Sequence, residues 1–195
     1  NRDTSDAPLW YIVATRELAA KAGEDRVLSA DCGGRTVRDV MIAIAEGYCR
    51  STPNGIRVDE KTGLVYSPSH FTWMDTNHPA GTPRAGYPVE IQALWIAALG
   101  AVAELDPHGP WAAMAAKARD AFVRHFWLED RGYLSDCLHA ESFRPADEAQ
   151  ADDHLRSNQI FAVTLGALQD PARCRRTLRA AARLLVPGAI RTLAP

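Results

Sequence analysis

Apolar residues recur at helical spacing along most of the chain. Between residues 36 and 49 they lie at i, i+3, i+4, i+7, i+8 and i+11: Val37, Val40, Met41, Ile44, Ala45 and Tyr48. This spacing indicates an amphipathic helix with one buried face. Five further stretches are predicted to be helical by similar spacing or by strong helix formers: 9–21, 90–105, 111–126, 158–168 and 172–185. The chain is therefore predicted to contain about six helices.

The connections between these helices alternate between short and long. In the long connection 55–66, two extended segments flank a turn at 59–62 and predict a β-hairpin. Other unusual connections are the loop 72–75 and the region 130–136, which is predicted to be a short turn and strand. The role of its final acid, Asp136, is open. We expect an all-α fold in which paired helices form part of a toroid, with the site in the long loops. A helical-repeat solenoid is the alternative, but the chain shows no fixed repeat of about 34 or 40 residues.

The composition matches a soluble globular protein, since 47% of the 195 residues are hydrophobic and 24% are charged. A net charge of -2 predicts neither a nucleic-acid nor a membrane partner, and no apolar run is long enough to span a bilayer. The four cysteines lie far apart, so we expect no zinc site, no disulfide framework and a cytoplasmic protein with reduced thiols. The chain begins with Asn1 and stops without closing an element, so we expect a segment of a larger protein.

The candidate chemistry lies in the loop that contains Trp73 and Asp75 and at the start of the next helix, where Glu90 stands. An aromatic ring offers a flat face to a sugar and carboxyl groups transfer protons, so this combination is typical of a carbohydrate-cleaving site. The alternatives are structural: Asp75 would cap a loop turn, and Glu90 would be an acid favoured in a first helical turn. Asp59 and Glu60, in the hairpin turn, are predicted to be solvated.

The tryptophans divide into two groups. Trp95 and Trp111 lie on apolar helix faces and are predicted to be core residues. Trp10 lies near Asp6, and Trp73 lies near the loop acid. These two rings are therefore the better candidates for stacking on a sugar.

Several motifs carry a resemblance to a known family, and they occur in the family's order: Asp6-Ala7-Pro8-Leu9-Trp10, Gly55-Ile56, Gly63-Leu64, Thr72-Trp73-Met74-Asp75, Thr82-Pro83-Arg84-Ala85-Gly86, Pro88-Val89-Glu90-Ile91-Gln92-Ala93-Leu94-Trp95, Arg156-Ser157-Asn158-Gln159 and Arg191-Thr192-Leu193. At these motifs the sequence resembles the amylo-α-1,6-glucosidase domain of glycogen debranching enzymes. The resemblance runs over nearly the whole chain and is most specific over 72–95. Two departures are Ser157, where the family usually has proline, and the residues 76–78 that follow the loop acid.

The resemblance implies an (α/α)6 toroid that hydrolyses α-1,6-glucosidic branch stubs of glycogen or a limit dextrin with inversion, without a metal or other cofactor. It implies that Asp75 is the general acid. It also implies that the catalytic base is a Glu in a segment that would follow 191–193, beyond the end of this chain. Residues 1–195 are therefore expected to be part of an (α/α)6 catalytic domain without its C-terminal portion, and to hydrolyse nothing appreciable alone.

Further residues are expected to bind the glucan. Asp6, Trp10 and Trp73 would line the sugar subsite. Arg84 would bind hydroxyls or steady the acid, and Glu90 would hold a sugar hydroxyl rather than act as a substitute base. Two other functions remain open: a toroid glycosidase of glucoamylase or trehalase type, and a non-catalytic sugar-binding helical segment. The natural glucan, the oligomeric state and an upstream transferase domain do not follow from the sequence.

Overall fold

The structure is a computed structural model that describes residues 3–74 and 83–194. The described residues form these α-helices: α1 (Ala7–Ala22), α2 (Glu24–Leu28), α3 (Val37–Cys49), α4 (Val89–Leu105), α5 (Trp111–Phe126), α6 (Ile160–Thr164) and α7 (Pro171–Ala182). They also form these short strands: β1 (Arg57–Val58), β2 (Val65–Tyr66), β3 (Gly86–Pro88), β4 (Trp127–Leu128), β5 (Tyr133–Leu134), β6 (Cys137–His139), β7 (Gln150–Ala151), β8 (Leu185–Val186) and β9 (Ala189–Ile190). The fold is rich in α-helix, as the apolar spacing predicts.

The strands form small antiparallel sheets. β1 pairs with β2 in the predicted hairpin, with Arg57 opposite Tyr66. β4 pairs with β5 and β8 pairs with β9, while β3, β6 and β7 form a three-stranded sheet with β6 in the middle. In that sheet Pro88 lies opposite Cys137. β5 lies within the region 130–136 that was predicted to contain a strand, whereas the sequence pattern does not indicate the three-stranded sheet or the β8–β9 pair.

Helix α4 lies at the centre of the core. Almost all of its side chains are buried, and α1, α3, α5 and α6 pack against it. Tyr48 stacks on the fully buried Trp95 with ring centroids 5.5 Å apart, and the Trp95 Nε1 donates to the Gly63 carbonyl at 3.0 Å. A helix that is apolar on nearly all sides belongs inside a domain. The prediction that Trp95 and Trp111 are core residues is confirmed.

Local chemistry determines where two of the helices begin. Thr36 and Asp39 form a capping box at the start of α3, in which each side chain bonds to the backbone N–H of the other residue. The Asp170 carboxylate accepts a hydrogen bond from the Arg173 N–H at 2.6 Å at the start of α7. Both caps satisfy N–H groups that a helix start leaves without partners.

The helix predicted over 158–168 is shorter than its apolar pattern indicates. A 3-10 turn at Ser157–Gln159 leads into α6, which ends at Thr164. Gly166 follows with a φ of 72°. Glycine adopts this left-handed conformation without strain, so the chain turns away there instead of continuing the helix.

The prediction that Asp59 is solvated is wrong. Asp59 is only 5% exposed, and its carboxylate accepts hydrogen bonds from the Thr62 hydroxyl at 2.6 Å and from the Ala146 N–H at 3.3 Å. The acid therefore stabilises the hairpin turn and ties it to a segment 87 residues further along the chain. Glu60, the adjacent acid, is exposed as predicted.

Two expectations from composition can be compared with the fold. Within the described parts of the chain, no helix is both long and apolar enough to cross a membrane. The cysteines are all unpaired: Cys32, Cys49, Cys137 and Cys174.

Replacing Gly86 with Ala is expected to lower the free energy of unfolding by about 1–3 kcal/mol. A Cβ at this position would lie 2.1 Å from the Leu138 carbonyl oxygen and 2.7 Å from the Ala140 nitrogen, and φ is +131°. Gly100→Ala in α4 is the matched control, because a Cβ there meets nothing within 4 Å and alanine favours a helix. Chemical denaturation measures both variants, and equal stability of the two would contradict the prediction.

Candidate functional site

Strand pairing brings two acidic residues together at the N-terminal end of α4. Pro88, the last residue of β3, lies opposite Cys137 of β6. The Val89 N–H donates to the Asp136 carbonyl at 2.9 Å. Glu90 follows Val89 in the first turn of α4. The pairing of β3 with β6 therefore places Glu90 close to Asp136.

Arg84 joins the two acids. Its Nη1 donates to Glu90 Oε2 at 3.1 Å and to Asp136 Oδ2 at 3.2 Å. Its Nη2 donates to the other Glu90 carboxylate oxygen and to the Thr72 hydroxyl, the latter at 2.6 Å. Arg84, Glu90 and Asp136 are all buried, so their opposite charges compensate each other in the interior, where an unpaired charge is strongly unfavourable.

Asn158 completes the arrangement from the 3-10 turn that precedes α6. Its Nδ2 donates to Asp136 Oδ1 at 2.8 Å and contacts the Met74 sulfur at 3.0 Å. The Arg156 Nε forms a further ion pair, 3.4 Å from Asp136 Oδ2. The residues that share these buried hydrogen bonds form the Arg84 cluster: Thr72, Arg84, Glu90, Asp136 and Asn158.

Two opposing effects govern the ionisation of the acids in the Arg84 cluster. Burial raises the pKa of Glu90 and of Asp136 above their ordinary values, because the charged carboxylate loses its hydration. The Arg84 guanidinium opposes this rise in the pKa of both acids, and the Asn158 amide opposes it in Asp136. Arg84 therefore limits how far burial raises the pKa of both acids.

The residues predicted as catalytic or substrate-binding lie in different surroundings. Asp75 lies outside the described residues. Arg84 and Glu90 are bonded to each other in the Arg84 cluster and have almost no accessible surface. Trp73, two residues before Asp75 in the chain, is 52% exposed. An exposed indole ring meets the first requirement for stacking on a sugar.

Asp6 and Trp10 lie at the start of α1. Asp6 accepts a hydrogen bond from the Thr4 hydroxyl, and its side chain bonds to no N–H of the helix. Trp10 is partly buried and packs edge-on against Phe161, with ring centroids 5.5 Å apart. The described contacts of Asp6 and Trp10 thus lie outside the Arg84 cluster.

A hydrogen bond connects the start of α1 with the segment that enters the Arg84 cluster. The Ser5 N–H donates to the Phe71 carbonyl at 2.7 Å. The hydroxyls of Ser5 and Ser67 lie 2.8 Å apart in the interior. Asp6 follows Ser5 and Thr72 follows Phe71, so these two predicted parts of the site belong to adjoining segments.

The sequence does not identify Asp136 and Asn158 as members of a common site. An acid that follows a strand-like segment has no distinguishing local pattern, so the sequence leaves the role of Asp136 open. Asn158 lies in the motif 156–159 that carries part of the family resemblance. This motif is the one signal that could have pointed to Asn158.

A polar cleft of about 460 Å³ lies beside β3 and β6. Its polar lining consists of His139, Glu141, Arg144 and Gln150. Pro83 and Ala85 also line the cleft, and Arg84 lies between them in the chain. The buried Arg84 side chain does not line the cleft, whose volume is in the range of small-ligand sites.

One group of side chains has the composition of a metal site. Asp152, Asp153 and His154 each place a potential ligand atom within 4.8 Å of the others. Hydrogen bonds account for this arrangement: the Asp152 carboxylate lies 3.2 Å from His139 Nε2 and bonds to the His154 ring. Asp153 pairs with Arg131 at 2.5 Å. We therefore assign no metal or cofactor to these residues.

Asp152→Asn is expected to lower the free energy of unfolding at neutral pH. The difference from the wild type should shrink as the pH falls below about 4. Burial alone would raise the pKa of Asp152, but hydrogen bonds from His139 and His154 lower it below its ordinary value. Because the pKa of Asp152 is lower in the folded protein than in the unfolded chain, its carboxylate stabilises the fold at pH values above the unfolded-state pKa. This stabilisation is lost as the pH falls through the folded-state pKa. Denaturant unfolding between about pH 7 and pH 3 measures the effect. A pH-independent difference between variant and wild type would contradict the prediction.

Comparison with known proteins yields a family and a fold. The family model described as amylo-alpha-1,6-glucosidase matches residues 1–195. The structure is similar to the crystal structure of the GH78 family rhamnosidase of Bacillus sp. GL1, with a TM-score of 0.63 and 16% sequence identity. The similar region covers 89% of this chain, and the chain spans only 17% of the rhamnosidase chain. No curated protein matches the chain.

Proposed function

Because the chain belongs to the amylo-alpha-1,6-glucosidase family, we propose that it is part of a glycoside hydrolase that cleaves α-1,6-glucosidic branch points of glycogen-like glucans. The observation that carries the proposal is the family match over residues 1–195. The fold shared with a rhamnosidase agrees with the coarser part of the proposal, which is a glycosidase-type function.

The proposed architecture is an (α/α)6 toroid in which α4 is an inner helix. The burial of α4 on nearly all sides and the packing of α1, α3, α5 and α6 around it support this assignment. In a toroid of paired helices, the loops that precede inner helices gather at one end. The Arg84 cluster lies at the N-terminal end of α4, which is where such a site is expected.

The proposed reaction is acid–base hydrolysis with inversion. Asp75 would donate a proton to the glycosidic oxygen, and a second carboxylate would accept a proton from the attacking water. The two carboxyl groups of an inverting glycosidase are about 6.5–9.5 Å apart, which leaves room for that water. We propose that the second carboxylate is the Glu that the resemblance expects outside these 195 residues. Glu90 is a poor base because Arg84 binds both of its carboxylate oxygens.

The sugar subsite is proposed to include Trp73, Trp10 and Asp6. The exposure of the Trp73 ring supports a stacking role, and the hydrogen bond between the α1 start and the segment before Thr72 supports the inclusion of Asp6. Arg84 and Glu90 are proposed to serve the site from within the protein, because both are buried and bonded to each other.

A substrate panel with the natural protein that contains this chain tests the proposal. We expect glucose release from a branched limit dextrin and from isomaltose-type sugars, and much slower release from maltose-type and trehalose-type sugars. Proton NMR of the fresh product tests inversion, since an α-linked substrate should first yield β-glucose. Preferred hydrolysis of maltose-type or trehalose-type sugars would indicate another toroid glycosidase. Binding of glucans without hydrolysis would indicate a sugar-binding segment.

A further inference from the structure

We propose that Asp136 and Asn158 are positioning residues for the proposed catalytic acid, Asp75. They act on residues 72–74, the segment that leads into this acid, and part of the action passes through Arg84. The inference rests on the proposed function in one respect, which is the role of Asp75. The family resemblance assigns no role to Asp136 or Asn158.

Two anchors hold the segment before the proposed acid. Arg84 Nη2 donates to the Thr72 hydroxyl at 2.6 Å. Asn158 Nδ2 contacts the Met74 sulfur at 3.0 Å. Trp73 lies between these two residues in the chain, and 52% of its surface is exposed. The anchors therefore hold the segment on both sides of an exposed ring, up to the last residue before the acid.

Asp136 connects the two anchors. Its Oδ2 accepts a hydrogen bond from Arg84 Nη1 at 3.2 Å, and its Oδ1 accepts one from Asn158 Nδ2 at 2.8 Å. An ionised carboxylate can only accept hydrogen bonds, so it turns the amide nitrogen of Asn158 toward itself. That same nitrogen contacts Met74. Without the charge on Asp136, the Asn158 amide loses the acceptor that orients it, and the Arg84 guanidinium is left with Glu90 and Thr72 within the cluster.

Neither positioning residue is exposed to a substrate. Asp136 is 2% exposed and Asn158 is 1% exposed, and their described contacts are with protein groups. A positioning role therefore predicts a slower chemical step with little change in glucan binding. A displacement of a catalytic group by about 1 Å can lower the rate by about 100-fold.

The charges of the Arg84 cluster provide a second readout. The Arg84 guanidinium bonds to two carboxylates, those of Glu90 and Asp136. Removing one of these negative charges leaves the guanidinium less compensated, which favours the ionised form of a nearby acid. A general acid must be protonated to act. The alkaline limb of the rate–pH profile should therefore move to lower pH when Asp136 loses its charge.

The test compares Asp136→Asn with the wild type in hydrolysis of a branched limit dextrin by the natural protein. We expect kcat to fall about 10- to 100-fold while KM stays within about twofold, and the alkaline limb of the kcat profile to move to lower pH. Asn158→Ala should lower kcat similarly without moving that limb. Asp59→Asn is the matched control, because this buried carboxylate of the hairpin turn bonds to Thr62 and Ala146, which lie outside the Arg84 cluster. This control variant should leave both kcat and the alkaline limb of the kcat–pH profile unchanged.

Thermal unfolding establishes that each variant is assayed in its folded state. If Asp136→Asn does not fold, Asn158→Ala still tests the anchor at Met74. Unchanged kcat in the folded variants would overturn the inference, and so would a raised KM at constant kcat, which indicates loss of sugar binding instead. A wild type that prefers another linkage would refute the proposed function alone, and the same variants would then be tested on that linkage. A wild type that hydrolyses no glycoside would overturn both.

Discussion

The Asp75→Asn variant is expected to release glucose from a branched limit dextrin about 100- to 10,000-fold more slowly than the wild type. Asparagine has nearly the size of aspartate but has no carboxyl proton to donate, so the leaving oxygen would depart without assistance. Glucan affinity, measured in parallel by calorimetry, should change little, because proton transfer takes place only in the transition state. The assay uses the natural protein, since the proposed base is not among these 195 residues.

Two controls separate loss of the acid from a general defect. Glu60→Gln changes an exposed acid in the hairpin turn and should retain the wild-type rate. α-Glucosyl fluoride needs little protonation of its leaving group, so the Asp75→Asn variant should lose much less activity on it. Near-normal turnover of limit dextrin by the variant would show that another carboxyl group is the acid.

Arg84→Met is expected to lower the free energy of unfolding by about 3–5 kcal/mol, the largest stability loss among the substitutions considered. It leaves the buried carboxyl groups of Glu90 and Asp136 without their shared guanidinium. Burial raises the pKa of both acids, so the variant should be least destabilised at low pH, where the carboxyl groups are protonated. Denaturant unfolding near pH 7 and near pH 5 measures both effects.

An exposed arginine is the matched control for this substitution. Arg131 pairs with Asp153 at 2.5 Å, but both side chains are more than half exposed, so Arg131→Met should cost at most about 1 kcal/mol. Combining Arg84→Met with Glu90→Gln should restore part of the lost stability, because it removes one of the unpaired charges. A loss below about 1 kcal/mol for Arg84→Met would show that the buried ion pairs do not stabilise the fold.

Neighbouring residues determine most of the helices. Apolar spacing or strong helix formers predict α1, α3, α4, α5 and α7, and the extended segments on either side of a turn predict the β1–β2 hairpin. These patterns succeed because the periods of helix and strand are properties of adjacent positions. The motifs within 72–95 indicate the family by resemblance, and the match over residues 1–195 confirms it.

Burial depends on segments that are distant in the chain. Asp59 has the sequence surroundings of a solvated turn acid, yet it is buried because the backbone of Ala146 packs over it. Helix α4 was predicted from a single apolar stripe, but its other faces are also buried because neighbouring helices surround it. The strand pairing of β3 with β6 likewise has no local signal, since each strand is only three residues long.

Some features of the candidate site also follow from the sequence, whereas others arise only in the folded protein. Arg84 and Glu90 lie in neighbouring motifs, so the sequence by itself assigned both to the candidate site, as it predicted most of the helices, the hairpin and the family. Only the tertiary structure decided that Arg84 is buried between two acids and that Asn158 joins the arrangement. The bond between Arg84 and Asp136 spans 52 residues, and the contact between Met74 and Asn158 spans 84. Such contacts form because the core brings distant segments together, and residue spacing carries no information about them.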